Sequence, residues 1–139
     1  GHLELDDINK DKTTLTIRAY ESRSGRTVPL NSAARHALNS YLKDRPRSRD
    51  KTLFITKTGR PFLIRNIRSS INRLFKKAGI TKATVNDLRH TFIAAQIQAG
   101  TPLHYLAETV GHKRLTTTET YLKYVKPGSQ KSAIQLEEL

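Results

Sequence analysis

The chain has 139 residues, room for one domain around one core, and at 36% hydrophobic that core will be modest. Lysine and arginine number 25 against 12 acidic residues, and the formal net charge of +13 points to a polyanionic partner, above all a nucleic acid. The absence of cysteine excludes disulfides and thiolate zinc sites; no apolar run is long enough to cross a membrane and no signal peptide is visible, so a cytoplasmic protein is expected.

Residues 3–8 read as the end of a helix, or a turn, entering a strand. Residues 14–20 alternate and are rich in β-branched side chains, which predicts a strand. A turn over 22–25 returns the chain through 26–30, with Pro29 closing a hairpin. Asn31-Ser32 can cap a helix in which Ala34, Leu38, Tyr41 and Leu42 recur at helical spacing. A charged loop over 44–51 leads to a short predicted strand, 52–56, and a turn, 57–61. Residues 62–78 form an amphipathic helix with Ile67, Ile71, Leu74, Phe75 and Ala78 as its apolar stripe, ended by Gly79. Each basic residue on its other faces reads alone as solvated surface. As a group, Arg65, Arg68, Arg73 and Lys76 suit a phosphate-lined groove, and Lys113 and Arg114 join them as DNA-binding candidates.

Thr84 with Asp87 three positions on forms a capping box for the next helix, whose predicted buried stripe is Leu88, Phe92, Ala95 and Ala99, with Gly100 as its stop. Arg89 and His90 fall in its first turn. A cation there is disfavoured by the helix dipole unless an anion sits beside it. Pro102 opens another helix, with Leu103, Leu106, Ala107 and Val110 on its core side, Gly111 as cap and His112 just beyond. Thr116 with Glu119 reads as a second capping box, opening a short helix that carries Tyr121 and Tyr124. Residues 127–129 break it, and 132–139 form a last short helix. The expected fold is α+β and mainly helical, a small N-terminal antiparallel hairpin packed on a helical bundle.

The chemistry concentrates between residues 86 and 124. Arg89 can neutralise a phosphate through a planar fork of donors. His112 can donate a hydrogen bond or carry a proton near neutral pH. Tyr121 supplies an oxygen that can attack phosphorus. The five histidines lack the pairing of a zinc-binding helix, so no metal is expected.

Leu88-Arg89-His90-Thr91-Phe92, Val110-Gly111-His112 and Thr117-Thr118-Glu119-Thr120-Tyr121 resemble, in order, the second-arginine box, the Leu-Gly-His box and the nucleophile segment of the tyrosine recombinase (phage integrase) family. The spacing also resembles the family's: His112 follows Arg89 by 23 positions and Tyr121 follows His112 by 9. The resemblance covers nearly the whole chain. It implies catalytic roles for Arg89, His112 and Tyr121 in a transesterification of DNA: cleavage through a 3′-phosphotyrosyl link, then religation without a nucleotide cofactor. It implies double-stranded DNA as partner, a phage or other mobile element as source, and a homotetramer on DNA for the full-length protein.

Three departures stand beside the resemblance. Asn86 occupies the place of a family histidine and cannot exchange a proton near pH 7. The family's hairpin lysine would fall near Tyr20-Glu21, where Arg23 is the nearest basic group. The family's first catalytic arginine would lie before Leu3. The expectation is therefore a catalytic-domain fragment, residues 1–139, without that arginine or an N-terminal DNA-clamping domain, monomeric and weakly active or inactive alone. Asn86, His90 and Arg23 are accessory candidates. A non-catalytic DNA-binding protein on the same fold is the first alternative; an RNA-binding basic domain is the second, but it leaves the Arg–His–Tyr spacing unexplained.

Overall fold

β-branched residues favour extended backbone, and Thr14–Ile17 (β1) pairs antiparallel with Arg26–Pro29 (β2), setting Thr14 opposite Pro29 and Ile17 opposite Arg26. The computed structural model describes residues 2–21 and 23–125. Beyond the two strands, Tyr20 and Arg23 exchange backbone hydrogen bonds of 3.1 and 3.0 Å. The chain therefore reverses at Glu21, whose φ is +52°, earlier than the expected turn over 22–25. Ser22 of that turn lies outside the described residues, as do the break at 127–129 and the helix expected over 132–139.

Helix α1 (Ser32–Asp44) starts where Asn31 Oδ1 accepts the Ala34 N–H at 2.8 Å. The strand expected over 52–56 is not one. Its backbone bonds go to scattered partners: Leu53 N–H to Leu3 O, Phe62 N–H to Phe54 O, and Thr56 N–H to Arg60 O. The Tyr41 hydroxyl donates to Leu53 O and accepts from Ile55 N–H, while Arg45 donates to Asp50, Thr52 and Leu53 carbonyls. Side chains from α1 and its C-terminal end thus satisfy groups a neighbouring strand would have taken. Leu53 and Ile55 are buried beneath them.

Helix α2 (Ile64–Lys77) half-buries Ile67, Ile71 and Phe75, but Leu74 is 62% exposed and Ala78 is exposed as well, so the apolar stripe is narrower than predicted. Helix α3 (Val85–Gln98) carries the predicted capping box: Asp87 Oδ2 accepts from Thr84 N–H at 2.7 Å. Its buried face is rotated by about one position from the expected one. Ile93, Gln96 and Ile97 are buried, Phe92 and Ala95 are partly covered, and Leu88 and Ala99 are exposed. Ile93 and Ile97 are also four apart, and they bring more apolar volume to the core than the two alanines.

Helix α4 (Leu103–Val110) follows Pro102, which sits one place outside the helix as its cap. Helix α5 (Leu115–Glu119) begins two residues earlier than predicted, with Arg114 as cap, so Thr116 lies inside the helix and the second capping box does not form. A 3₁₀ turn, Thr120–Tyr124, continues it. The main core is Ile93 and Ile97 of α3, Leu106 and Val110 of α4, and Tyr121, flanked by Phe92, Leu103 and Val125. The hairpin packs on α4 through β2. This is the expected α+β, mainly helical arrangement. Among the described residues no helix is long and apolar enough to cross a membrane.

Candidate active site

The site is built around the C-terminus of α4. An α-helix ends with four carbonyls that have no partner within it, and here all four are taken. His112 N–H donates to Ala107 O at 2.8 Å and Gly111 N–H to Glu108 O at 3.0 Å, the paired bonds of a Schellman motif. Arg26 Nε donates to Thr109 O at 2.8 Å, and Arg89 Nη2 to Val110 O at 2.6 Å. Two guanidinium groups, from β2 and from α3, where Arg89 is in the second turn rather than the expected first, are thus fixed at the negative end of one helix dipole.

The rotated face of α3 aims the second of these. Arg89 lies four residues before Ile93 and His90 three before it, so burial of Ile93 and Ile97 carries both side chains toward α4 and the Thr120–Tyr124 turn. Gly111, in left-handed backbone with φ +75°, turns the chain so that His112 projects beside them. His112 Nδ1 is hydrogen-bonded to the Thr118 hydroxyl at 2.8 Å. Tyr121, 9% exposed, lies between the two histidines: its ring centroid is 5.6 Å from His90 and 6.1 Å from His112, and its Oη is 2.6 Å from His90 Nδ1. Tyr124, one turn on, is 67% exposed, and Lys123 Nζ lies 5.0 Å from its ring centroid.

Electrostatics mark the cluster as short of negative charge. Burial, then the charges of Arg89 and Arg23, lower the Arg26 pKa. A guanidinium stays charged regardless, so burial first, and repulsion by Arg89 and Arg23 second, are costs of holding Arg26 there that a bound anion would offset. Burial, then the Arg89 charge, lower the His112 pKa below its ordinary value. Protonation of His112 therefore favours the unfolded chain. Its contribution to stability is intact above the ordinary histidine pKa and falls away as the pH drops from there toward the lower folded value. We expect His112, followed by NMR, to titrate below an unperturbed histidine in the free protein and to move up when a DNA duplex is added, because a phosphate favours the imidazolium. An unchanged pKa in the presence of bound duplex would separate His112 from the anion site.

A cleft of ≈ 420 Å³ opens beside this cluster, lined by Arg23, Arg26, Tyr105, Glu108, His112 and Lys113. A second, of ≈ 730 Å³, runs between α2 and the start of α3, where Arg68, Lys76 and Asn86 line it with Ile67 and Phe75. The structure thus brings Arg89, His90, His112 and Tyr121 together and places Arg23 and Lys113 on the adjoining cleft. Asn86 lies on the α2 groove. Arg65 and Arg73 are exposed on α2, and Arg114 is exposed at the start of α5. Among the described residues no group of three histidine or acidic side chains could hold a metal ion.

Arg26 was not singled out by the sequence. Its position opposite Ile17 reads as an ordinary strand arginine, and only the packing of β2 on α4 gives it a carbonyl to hold. The contact also bears on position 111, where a side chain would displace the Arg26 guanidinium. A Cβ there would stand 2.7 Å from Arg26 Nη1, in backbone already unfavourable for L-residues. Gly111→Ala should cost about 1–2 kcal/mol from the backbone alone, plus the loss of the Arg26 bond. Gly79, with φ +73° and nothing within 4 Å of its would-be Cβ, is the control. In urea unfolding, Gly111→Ala should lose more stability than Gly79→Ala; equal losses would mean that the Arg26 contact adds nothing at position 111.

Known proteins share this architecture. The tyrosine recombinase XerA of Pyrococcus furiosus is 29% identical over 126 residues, 88% of this chain and 43% of its own length. XerC of Lactobacillus leichmannii is 37% identical over 83 residues, 59% of this chain and 28% of its own length. A crystal structure of XerA recombinase matches with a TM-score of 0.80 at 27% identity, covering 91% of this chain and 47% of that one. XerH bound to its difH substrate after cleavage matches with a TM-score of 0.74 over 89% of this chain and 37% of that one, and at 22% identity this likeness is one of fold. The chain spans less than half the length of these relatives. The phage integrase family model matches residues 1–126, and the chain belongs to that family.

Proposed function

We propose that this chain is the catalytic domain of a site-specific DNA recombinase or integrase that cuts and rejoins strands through a 3′-phosphotyrosyl intermediate. The observation that carries the proposal is the convergence of Arg89, His112 and Tyr121 at the end of α4. In this reading Tyr121 Oη attacks phosphorus. The guanidinium groups of Arg89 and Arg26, already oriented by α4 carbonyls, face the charge that builds on the non-bridging oxygens. With Nδ1 accepting from the Thr118 hydroxyl, neutral His112 carries its proton on Nε2 and donates to the same oxygens. DNA backbone contacts fall to Arg23 and Lys113 on the adjoining cleft, to Arg114 nearby, and to Arg65, Arg68, Arg73 and Lys76 along α2.

The relatives' greater length supports a longer protein, in which further segments would supply another transition-state arginine and a clamp on the duplex. A homotetramer on two duplexes belongs to the same proposal. Asn86 and the absence of lysine at Tyr20-Glu21 favour a second reading, a DNA-binding protein that does not cleave. A nicked suicide duplex incubated with the full-length protein decides between them. A protein–DNA adduct that survives denaturation supports the recombinase. Salt-sensitive binding with no adduct supports the second reading.

A further inference from the structure

A tyrosine hydroxyl is a weak nucleophile until its proton has somewhere to go. Most of the cluster cannot take it. Arg89 and Arg26 stay charged. Asn86 has no exchangeable basic site and lies on the α2 groove. His112 Nδ1 is engaged with Thr118, and its ring lies alongside that of Tyr121. His90 remains. Its Nδ1 is 2.6 Å from Tyr121 Oη, within the distance at which a general base accepts a proton. The two rings are nearly parallel, 28° apart; the tyrosine is 9% exposed, and His90 is open to solvent on its outer side.

Resting on the recombinase reading above, we propose that His90 is the proton acceptor for Tyr121 during strand cleavage and the donor that returns the proton on rejoining. Neutral His90 holds its own proton on Nε2 and accepts the Tyr121 O–H at Nδ1. As the Oη–P bond forms, the phenolic proton passes to Nδ1 and leaves an imidazolium. The P–O5′ bond breaks, its electron pair goes to O5′, and O5′ takes a proton from solvent water to leave as the hydroxyl. Rejoining reverses each transfer: O5′ attacks phosphorus and gives up its proton, while His90 reprotonates Oη as the phosphotyrosyl bond breaks. The imidazolium has a stabilising neighbour in Asp87, three residues earlier on α3, whose carboxylate is held charged chiefly by Thr84 and in part by His90. The role left open by asparagine at position 86 is thereby filled from the next turn of the same helix.

The proposal is tested by two measurements. In ¹⁵N NMR of the chain itself at neutral pH, His90 Nδ1 should carry no proton, and its signal should shift in Tyr121→Phe. A protonated Nδ1 would overturn the proposal, because that nitrogen could not accept. In the full-length protein on a nicked suicide duplex, His90→Asn should slow adduct formation by on the order of a hundredfold or more, with duplex affinity and melting temperature close to wild type, since asparagine can keep a hydrogen bond to Oη but cannot take its proton. Imidazole added to His90→Ala should recover part of the rate. A 5′-bridging phosphorothiolate, whose sulfur leaves without a proton, should leave His90→Asn still slow. Full recovery on that substrate would move His90 to the leaving group and overturn the assignment. An equally fast His90→Asn overturns it too, with the recombinase reading left standing. A wild-type protein that forms no adduct overturns both.

Discussion

Tyr121→Phe in the full-length protein will abolish covalent attachment to a nicked suicide duplex while duplex binding persists. The substitution removes one oxygen. The ring stays between His90 and His112 and beside the Ile93, Ile97, Leu106 and Val110 core. Losing the bond to His90 should cost stability about 1 kcal/mol, too little to unfold an ordinary domain. Tyr124→Phe should keep the adduct, although Tyr124 is the more accessible ring. Accessibility favours chemical modification of Tyr124; the hydrogen bond to His90 and the neighbouring His112 favour reaction at Tyr121. Mass spectrometry of the adduct peptide is the measurement. DNA on Tyr124, or an adduct that survives Tyr121→Phe, would refute the assignment.

Arg89→Lys should have the second largest effect, a fall in cleavage rate of about a hundredfold to a thousandfold. Lysine keeps one positive charge but loses the planar fork, so it cannot both hold Val110 O and present donors to a phosphate in the same geometry. The bond to Val110 also makes Arg89 part of the fold, and a stability loss of about 1 kcal/mol should accompany the rate loss. Single-turnover cleavage and a urea unfolding curve, measured on the same protein, separate the two. A stability loss of several kcal/mol, with the surviving folded fraction cleaving normally, would make Arg89 a structural residue.

Local signals in the sequence translate well where the chain's own neighbours satisfy them. The Thr84–Asp87 box, Asn31 as a cap and Gly111 as a helix stop all depend on atoms a few residues away, and all three form. Signals that depend on a distant partner fare worse. The 52–56 segment has strand composition, but Tyr41 and Arg45 supply its bonds. Thr116 and Glu119 have capping-box spacing, but α5 starts at Leu115 and carries Thr116 into its first turn. On α3 two apolar faces were available, and the choice of Ile93 and Ile97 over Leu88 and Ala99 rests on packing against α4 and Tyr121. The motifs identify Arg89, His112 and Tyr121 by spacing. The place of Arg26, and the hydrogen bond between His90 and Tyr121, required the fold, because partners 83 and 31 positions apart leave no local pattern.

The occupied carbonyls at the end of α4 have a kinetic consequence. Helix termini are where proteins open first and most often, and such openings are separate from global unfolding. Here one fraying event would release Thr109 and Val110 together, freeing two arginines from different elements and loosening the turn that carries His112. The cluster is therefore expected to open and close with that one turn, and the amides of Gly111 and His112, which close it, are the exchange reporters of whether it is assembled.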